Sequence, residues 1–403
     1  MIITENEELR IKMLIFGIIS EYNPLHNGHI YQINRIKKEY PDSFIVAFTS
    51  GSFVQRGEPS FIFKHFKAKL AVENGIDLLI EMPTIISLQS ANFFAFYSAQ
   101  MLNKLNILTH LCFGVEDMDK KSLNSLISFE QDNKELLDKT IKTFLDKGFS
   151  YKKSYELSLD EAGYSNTEKY FLPNNTLAIL YTKALKELNS DIDIFPINRN
   201  DKGYHNLNIS DEMFQSASAL RNAYTNGHDI DKYIPFHIEE NKEQLGRVNL
   251  DDYSSIFYYK AFVLDESGND IAGYENGLLN LLKKNYTNSL IEEVELSHNK
   301  RYSRSRLKRF LLNFILDIKA VDVFNLKYMN YIRPLKFNKK GAFLLKKIKE
   351  NSDINIINKL SDLNNLDDVN KRFISIDMNA FKLYNINHKR YNTLDYTENP
   401  YIE

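Results

Sequence analysis

Apolar residues in the first half of the chain follow two alternating rhythms. Short, β-branched runs at Met13–Ser20, Phe44–Thr49, Asp77–Glu81, His110–Phe113 and Ile192–Ile197 have the length and density of buried strands. Between them the spacing turns helical: Ile30, Ile33 and Ile36 within His29–Lys38, then Phe61–Asn74 ended by Gly75, then Leu88–Asn106 with an aromatic face. Leu172–Leu188 is another helix, opened by Pro173-Asn174-Asn175, and Ser216–Ala223 starts one more. Strands separated by helices predict an α/β fold, a Rossmann-like parallel sheet with right-handed crossovers. Asp119–Lys147 is polar and helical and predicts an insertion at about 117–170. After about residue 235 the alternation fades, and residues 250–350 read mainly as helices, with Leu307, Phe310, Leu311 and Phe314 at core spacing. The expected organisation is an extension over 1–12, an α/β unit over 13–235 and a mainly helical region over 236–403. The Asn/Asp-rich, then Tyr-rich segment 351–403 carries no assignable pattern.

At 403 residues the chain suits two or three domains. Its 51 Lys and Arg nearly balance 53 Asp and Glu, so overall charge does not point to a polyanionic partner. The distribution does. Asn299–Phe310 holds six cations, Lys300, Arg301, Arg304, Arg306, Lys308 and Arg309, and no acid. Leu326–Lys349 holds eight, Arg333, Lys339 and Lys340 among them, again without an acid. Such a segregated field suits an RNA backbone, and the interleaved Tyr302 and Tyr331 suit stacking on loop bases. The same runs also suit the solvated faces of a helical domain. Cys112 is the single cysteine, so no intramolecular disulfide or Cys-cluster metal site is expected. No run approaches the ~18–20 apolar residues of a membrane span. Glu5, Glu7 and Glu8 stand where a secretory signal has its apolar core. A cytoplasmic protein with no membrane contact and no protein partner is expected. His65, His110 and His205 lack metal-ligand spacing, and no resident metal is expected.

The strongest local signal follows the first strand: Tyr22-Asn23-Pro24-Leu25-His26-Asn27-Gly28-His29, an HxGH pattern at a strand-to-helix turn. In an open parallel sheet, ligands sit at the carboxyl ends of the strands, where a helix N-terminus offers free N–H groups to a phosphate. Gly28 removes a side chain where a nucleotide must approach the backbone. His26 and His29 share one face of the first turn and can donate to triphosphate oxygens, more strongly as charge builds on an attacked α-phosphate. The same histidines would also serve as plain helix caps. At the same sheet edge, Gly51–Pro59 suggests a shaped loop, and Gly114 suits either a plain turn or adenine packing. Ser216, Ser218 and Arg221 open a helix as a second phosphate site or as a simple cap. Lys64 is a further candidate for the phosphates, with Lys67 one turn on. Any Mg²⁺ would come with the triphosphate itself.

These blocks resemble the bacterial tRNA(Met) cytidine acetate ligases of the HxGH nucleotidylyltransferase superfamily. The resemblance rests on Glu21–His29, Ser50–Pro59, Ala71–Pro83, Gln89-Ser90-Ala91 and Phe113–Glu116. Further on it takes in Pro173-Asn174, Arg199 with Tyr204-His205, Ser216–Arg221, Lys300–Ser303, Tyr331–Arg333 and Phe337–Gly341. Ser52, Asn92 and Leu25 depart from the residues common in that family. The resemblance implies an HxGH-type fold with an ATP-binding catalytic unit and a tRNA-binding C-terminal region. It implies activation of acetate with ATP to acetyl-adenylate, then acetyl transfer to the exocyclic amine of the wobble cytidine of elongator tRNA(Met). It places nucleotide contacts on the stretch Ile19–Gln32, with Ile19, Ser20, Glu21, Tyr22, Asn23, Pro24, His26, Gly28 and His29, and on Gly114, Asn174 and Arg199. Two other readings remain open here: an adenylyltransferase making a small coenzyme or nucleotide product, and a non-catalytic RNA-binding protein on the same fold.

Overall fold

The computed structural model describes residues 13–149, 151–164, 167, 170, 172–198, 215–246, 249–386 and 395–402. The extension 1–12, Arg199 and the Tyr204-His205 pair lie outside the described residues, as does the side chain of Asn174.

A six-stranded sheet forms the centre. Its strands are β1 (Ile15–Ser20), β2 (Phe44–Ser50), β3 (Leu78–Met82), β4 (His110–Val115), β5 (Asp193–Asn198) and β6 (Pro334–Phe337). In space they run β5-β4-β1-β2-β3-β6. The first five are parallel, as the alternation predicts, and the chain reverses its direction of travel between β1 and β4. That is the topological switch point where an open sheet takes its ligand.

Both faces of the sheet are covered, which explains the continuous apolar runs. Ile45 and Ala47 of β2 join one core, with Ile33 and Ile36 from α1 (Asn27–Glu39) and Ala68 and Ala71 from α2 (Lys64–Glu73). Val46 and Phe48 join the other, with Phe94 and Ala99 from α3 (Ala91–Lys104) and Ala178 and Leu185 from α4 (Pro173–Glu187). Near the switch point lies a fifth helix, α5 (Ala217–Thr225). The expected insertion is three helices, Lys120–Asp132, Lys134–Asp146 and Tyr151–Glu161.

The boundary expected at 235 is crossed. β6 comes from the C-terminal region and pairs antiparallel with β3, Leu78 opposite Phe337 and Ile80 opposite Pro334. The longest helices of the C-terminal region are α6 (Arg304–Ile315), α7 (Lys339–Asn351) and α8 (Asp368–Asn385). Leu307, Phe310, Leu311 and Phe314 of α6 are buried in the same core as Val46 and Phe48. The unassigned tail is part of the fold: Asp377 of α8 accepts the Thr84 N–H at 2.6 Å, and Phe337 N–H donates to the Pro400 carbonyl at 2.8 Å. Among the described residues, no helix is long and apolar enough to cross a membrane.

Candidate functional site

The HxGH turn joins β1 to α1 at the switch point. Tyr22 adopts a left-handed backbone (φ 45°), and the Asn23–Pro24 peptide is cis. His26 is the N-cap of α1: its Nδ1 accepts the Gly28 N–H at 3.1 Å. His29 reaches back, and its Nδ1 accepts the His26 N–H at 3.2 Å. The two rings lie 3.8 Å apart, tilted by 30°. Capping by these rings is therefore compatible with binding a ligand in the cleft. An imidazole nitrogen that accepts carries no proton, so each neutral ring keeps its N–H on Nε2. Both rings line the cleft. A Cβ at Gly28 would stand 3.0 Å from the His26 ring, so the glycine also makes room for that imidazole.

The cleft has a volume of about 450 Å³. Ile19, Ser20, Glu21, Tyr22 and Asn23 line it from the end of β1, Gly114 from β4, and Ser216, Ser218 and Arg221 from the start of α5. Pro24 is buried behind them. The buried Asn23 Nδ2 has no hydrogen-bond partner among the described residues, as suits an atom that meets a ligand. Arg221 is anchored by its Nη1 on the Asn23 carbonyl at 2.7 Å and faces Glu58 at 3.3 Å. Burial holds its guanidinium below the usual arginine range, with the Glu58 charge opposing. Ser216 caps α5, accepting the Ala219 N–H at 3.1 Å. The Gly51–Pro59 loop supplies Gln55 and Arg56 to the cleft. Its small hairpin, Phe53–Val54 with Glu58–Pro59, is fixed by Glu21, whose Oε1 accepts the Gln55 N–H at 2.6 Å. Sequence reasoning missed Thr176 and Tyr181, which also line the cleft; Gln32, the last residue of the stretch the resemblance implied, lines it too. Gln32 stands one turn beyond His29 on the same face of α1.

Lys64, expected as a candidate for the phosphates, does not line the cleft. It is 2 % exposed, and its Nζ donates to Glu81 Oε1 at 2.7 Å and to Asp395 Oδ2 at 2.8 Å. Arg333, expected to meet tRNA, is 6 % exposed and closes the same cluster, 2.8 Å from Glu81 and 2.7 Å from Asp395. Two cations and two carboxylates neutralise one another out of water, which removes both cations from ligand binding. Burial opposes ionisation of Asp395, yet Lys64, His65 and Arg333 hold its carboxyl well below the usual range. Lys67 lies at the floor of the site. Its Nζ donates to the carbonyls of Glu21 and Ser50, both at 2.9 Å, tying the ends of β1 and β2 together. Burial pushes its pKa down to about 7.

The basic segments separate in space. Lys300, Arg301 and Arg304 are exposed at the start of α6, and Arg306 and Arg309 are half-buried. Acids distant in sequence meet several of them: Arg301 and Arg306 pair with Glu275, and Arg304 pairs with Glu295 at 2.6 Å. Arg309 donates to the Gln55 carbonyl at 3.2 Å, and Lys308 meets Glu58 at 2.8 Å, so α6 is fastened to the cleft loop. Gly57 makes this contact possible with φ +75°; a Cβ there would lie 2.6 Å from the Arg309 nitrogen. Lys339 and Lys340 stand elsewhere. The start of α7 packs on Asp77, and Lys340 Nζ donates to the Ser43 carbonyl, both at the amino ends of strands. That edge is roughly 20 Å from the cleft, the length of a strand such as β2. Tyr331 and Tyr302 are buried, at 2 % and 6 % exposed, so neither is open to stack on a base.

Residues 13–399 match the family model described as HIGH Nucleotidyl Transferase. A tRNA(Met) cytidine acetate ligase of Clostridium tetani is 34 % identical, covering 95 % of this chain and 98 % of the relative. One of Clostridium kluyveri is 35 % identical, covering 97 % and 99 %. Among solved structures, Thermotoga maritima TmcAL bound with alpha-thio ATP superposes with a TM-score of 0.85 at 23 % identity, covering 96 % of this chain and 99 % of that one. The likeness to that structure establishes the fold.

Proposed function

The chain belongs to the tRNA(Met) cytidine acetate ligases of the HIGH nucleotidyl transferase family, and from that premise we propose how its own residues carry the reaction. ATP and acetate react in the cleft to give acetyl-adenylate, and the acetyl group passes to the exocyclic amine of the wobble cytidine of elongator tRNA(Met). The observation that carries this reading is the reciprocal cap of His26 and His29, which leaves an Nε2–H on each ring lining a cleft at the switch point.

In the first step an acetate oxygen attacks the α-phosphorus in line. The bond to the bridging oxygen breaks, and pyrophosphate leaves with that electron pair. Charge that develops on the α-phosphate oxygens is met by the two Nε2–H donors, His29 having the larger share. Arg221 and the start of α5, with Ser216 and Ser218, hold the leaving pyrophosphate. Mg²⁺ enters as a complex with the triphosphate oxygens. Gly114, Asn174 and Arg199 complete the nucleotide contacts. Acetate is already ionised, so positioning and charge stabilisation supply the catalysis. In the second step the cytidine N4 attacks the acetyl carbonyl, the acyl–oxygen bond breaks, AMP leaves and the amine gives up a proton. The base must leave its stack to reach the acyl group. Lys300, Arg301 and Arg304 on the open end of α6 attract the RNA backbone beside the cleft loop, with Arg306 and Arg309 behind them.

The test is incubation of the purified protein with ATP, Mg²⁺, labelled acetate and total bacterial tRNA, followed by nuclease digestion. Labelled N4-acetylcytidine with AMP and pyrophosphate is the expected result. ATP turnover that ignores acetate and tRNA would instead indicate a small-molecule adenylyltransferase.

A further inference from the structure

A second cavity of about 650 Å³ opens beside the ATP cleft. The two share Ala91 and Thr176, in the first turns of α3 and α4. Along α4 the cavity extends from Thr176 to Glu187, about 16 Å at the helical rise. Its opposing walls are aromatic: Phe93 and Tyr97 from α3, Tyr151 and Tyr155 from the insertion helix Tyr151–Glu161. Within each wall the rings lie nearly parallel, Phe93 and Tyr97 at 6.0 Å and 29°, Tyr151 and Tyr155 at 6.4 Å and 4°. Phe93 is 47 % exposed and Tyr151 61 % exposed, so two large rings stand in water at the mouth of the trench. Exposed aromatic surface of this kind marks a binding site.

The chemistry of the walls narrows the occupant. The cation of the trench, Lys183, is bound to Glu130 at 2.7 Å and lies 5.0 Å from the Tyr155 ring centre. Among the described residues that line it, the trench therefore offers π faces and no open ammonium for a phosphate. Flat, uncharged aromatic ligands fit such walls, and nucleobases stack on aromatic side chains without regard to sequence. A trench of about 16 Å takes four or five bases at roughly 3.4 Å each. Its continuity with the cleft supplies the source of those bases, since a cytidine drawn out to the adenylate strips its neighbours of a stacking partner.

We propose that this trench is a single-stranded RNA subsite that seats the unpaired bases flanking the reacting cytidine. The proposal rests on the tRNA-acetylating reading above and gives the helical insertion a function: it supplies one wall of the base-binding trench.

Phe93→Leu and Tyr151→Leu keep apolar bulk at exposed positions and remove the rings. Each is expected to lower kcat/KM for tRNA roughly 5- to 100-fold. Acetate-dependent exchange of pyrophosphate into ATP, which needs no RNA, stays at the wild-type rate. Phe93→Tyr and Tyr151→Phe, which restore a ring, keep wild-type tRNA kinetics. A direct readout is a synthetic RNA hairpin with 2-aminopurine beside the loop cytidine: the wild-type protein quenches its fluorescence and the leucine variants do not. Leucine variants with unchanged tRNA kinetics and full quenching would overturn the proposal. So would a parallel fall in pyrophosphate exchange, which would place the rings in ATP or acetate binding. A wild-type protein that acetylates no tRNA would refute the functional reading instead, and the hairpin quenching would still decide the trench.

Discussion

Replacing His29 by asparagine or by glutamine separates the two tasks of that ring. Asparagine sets its amide oxygen near the position of Nδ1 and keeps an acceptor for the His26 N–H, now met at 3.2 Å. It has nothing at the position of Nε2. Glutamine sets an amide N–H near Nε2 but gives up the acceptor. One transition-state donor aimed at developing phosphate charge is worth about 10²–10³ in rate, or roughly 3–4 kcal/mol. A reciprocal cap is worth about 1 kcal/mol of stability. His29→Asn should therefore melt within a degree or so of the wild type and lose about 10²–10³-fold in acetate-dependent pyrophosphate exchange. His29→Gln should lose about 1 kcal/mol of stability, about one degree of melting temperature in a chain of this length, and keep more exchange than the asparagine variant. Neither should change tRNA affinity by more than a few-fold. A His29→Asn protein that exchanges within threefold of the wild type would refute the reasoning, because the Nε2–H would then contribute nothing to the chemistry.

Other expectations follow from the same structure. Burial pushes the Asp377 carboxyl up to about 7, with Glu81 adding to the effect, against an unfolded value near 3.9. The folded state then binds more protons between those values, so stability falls as pH rises from about 4 to 7. Asp377→Asn should remove that slope in denaturation curves, gaining at most about 4 kcal/mol at pH 8 and little at pH 4; equal slopes in both proteins would contradict the assignment. Removing two phosphate contacts with Arg301→Ala and Arg304→Ala should reduce the slope of log K for tRNA against log salt by about 1.4–1.8; an unchanged slope makes α6 a solvated face. Gly57→Val should cost about 1–3 kcal/mol by thermal melting, from its left-handed backbone and the contact with α6, and should depress acetyl transfer to tRNA more than pyrophosphate exchange; melting as wild type would show that the loop does not need the glycine.

The parallel sheet was legible because each strand–helix unit advertises itself locally, through apolar runs and helical spacing a few residues apart. The placing of His26 and His29 together at the cleft was legible for a related reason: both rings come from one turn. β6 was not. It is four residues long, at the edge of the sheet, and its partner β3 lies some 250 residues earlier. Lys64 and Arg333 were misread because charge pairing is a matter of space. The carboxylate that holds Lys64 comes partly from Asp395, 331 residues away. The same blindness made the α6 segment look acid-free, although Glu275 and Glu295 meet its arginines in the folded chain. Lys339 and Lys340 shared a basic segment with Arg333 but fell at the opposite edge of the sheet, because β6 runs antiparallel and carries the chain away from the cleft before α7 begins. The aromatic trench was half visible, as the aromatic face of α3; its facing wall belongs to an insertion whose placement no local pattern reveals.

A crystal of this protein soaked with a non-hydrolysable ATP analogue and Mg²⁺ tests the central claim most directly. The account predicts the nucleotide between β1 and β4, with Nε2 of both His26 and His29 within hydrogen-bond distance of the phosphates nearest the ribose and Arg221 at the far end. A triphosphate bound elsewhere, with both imidazoles left against the wall of an empty cleft, would contradict it.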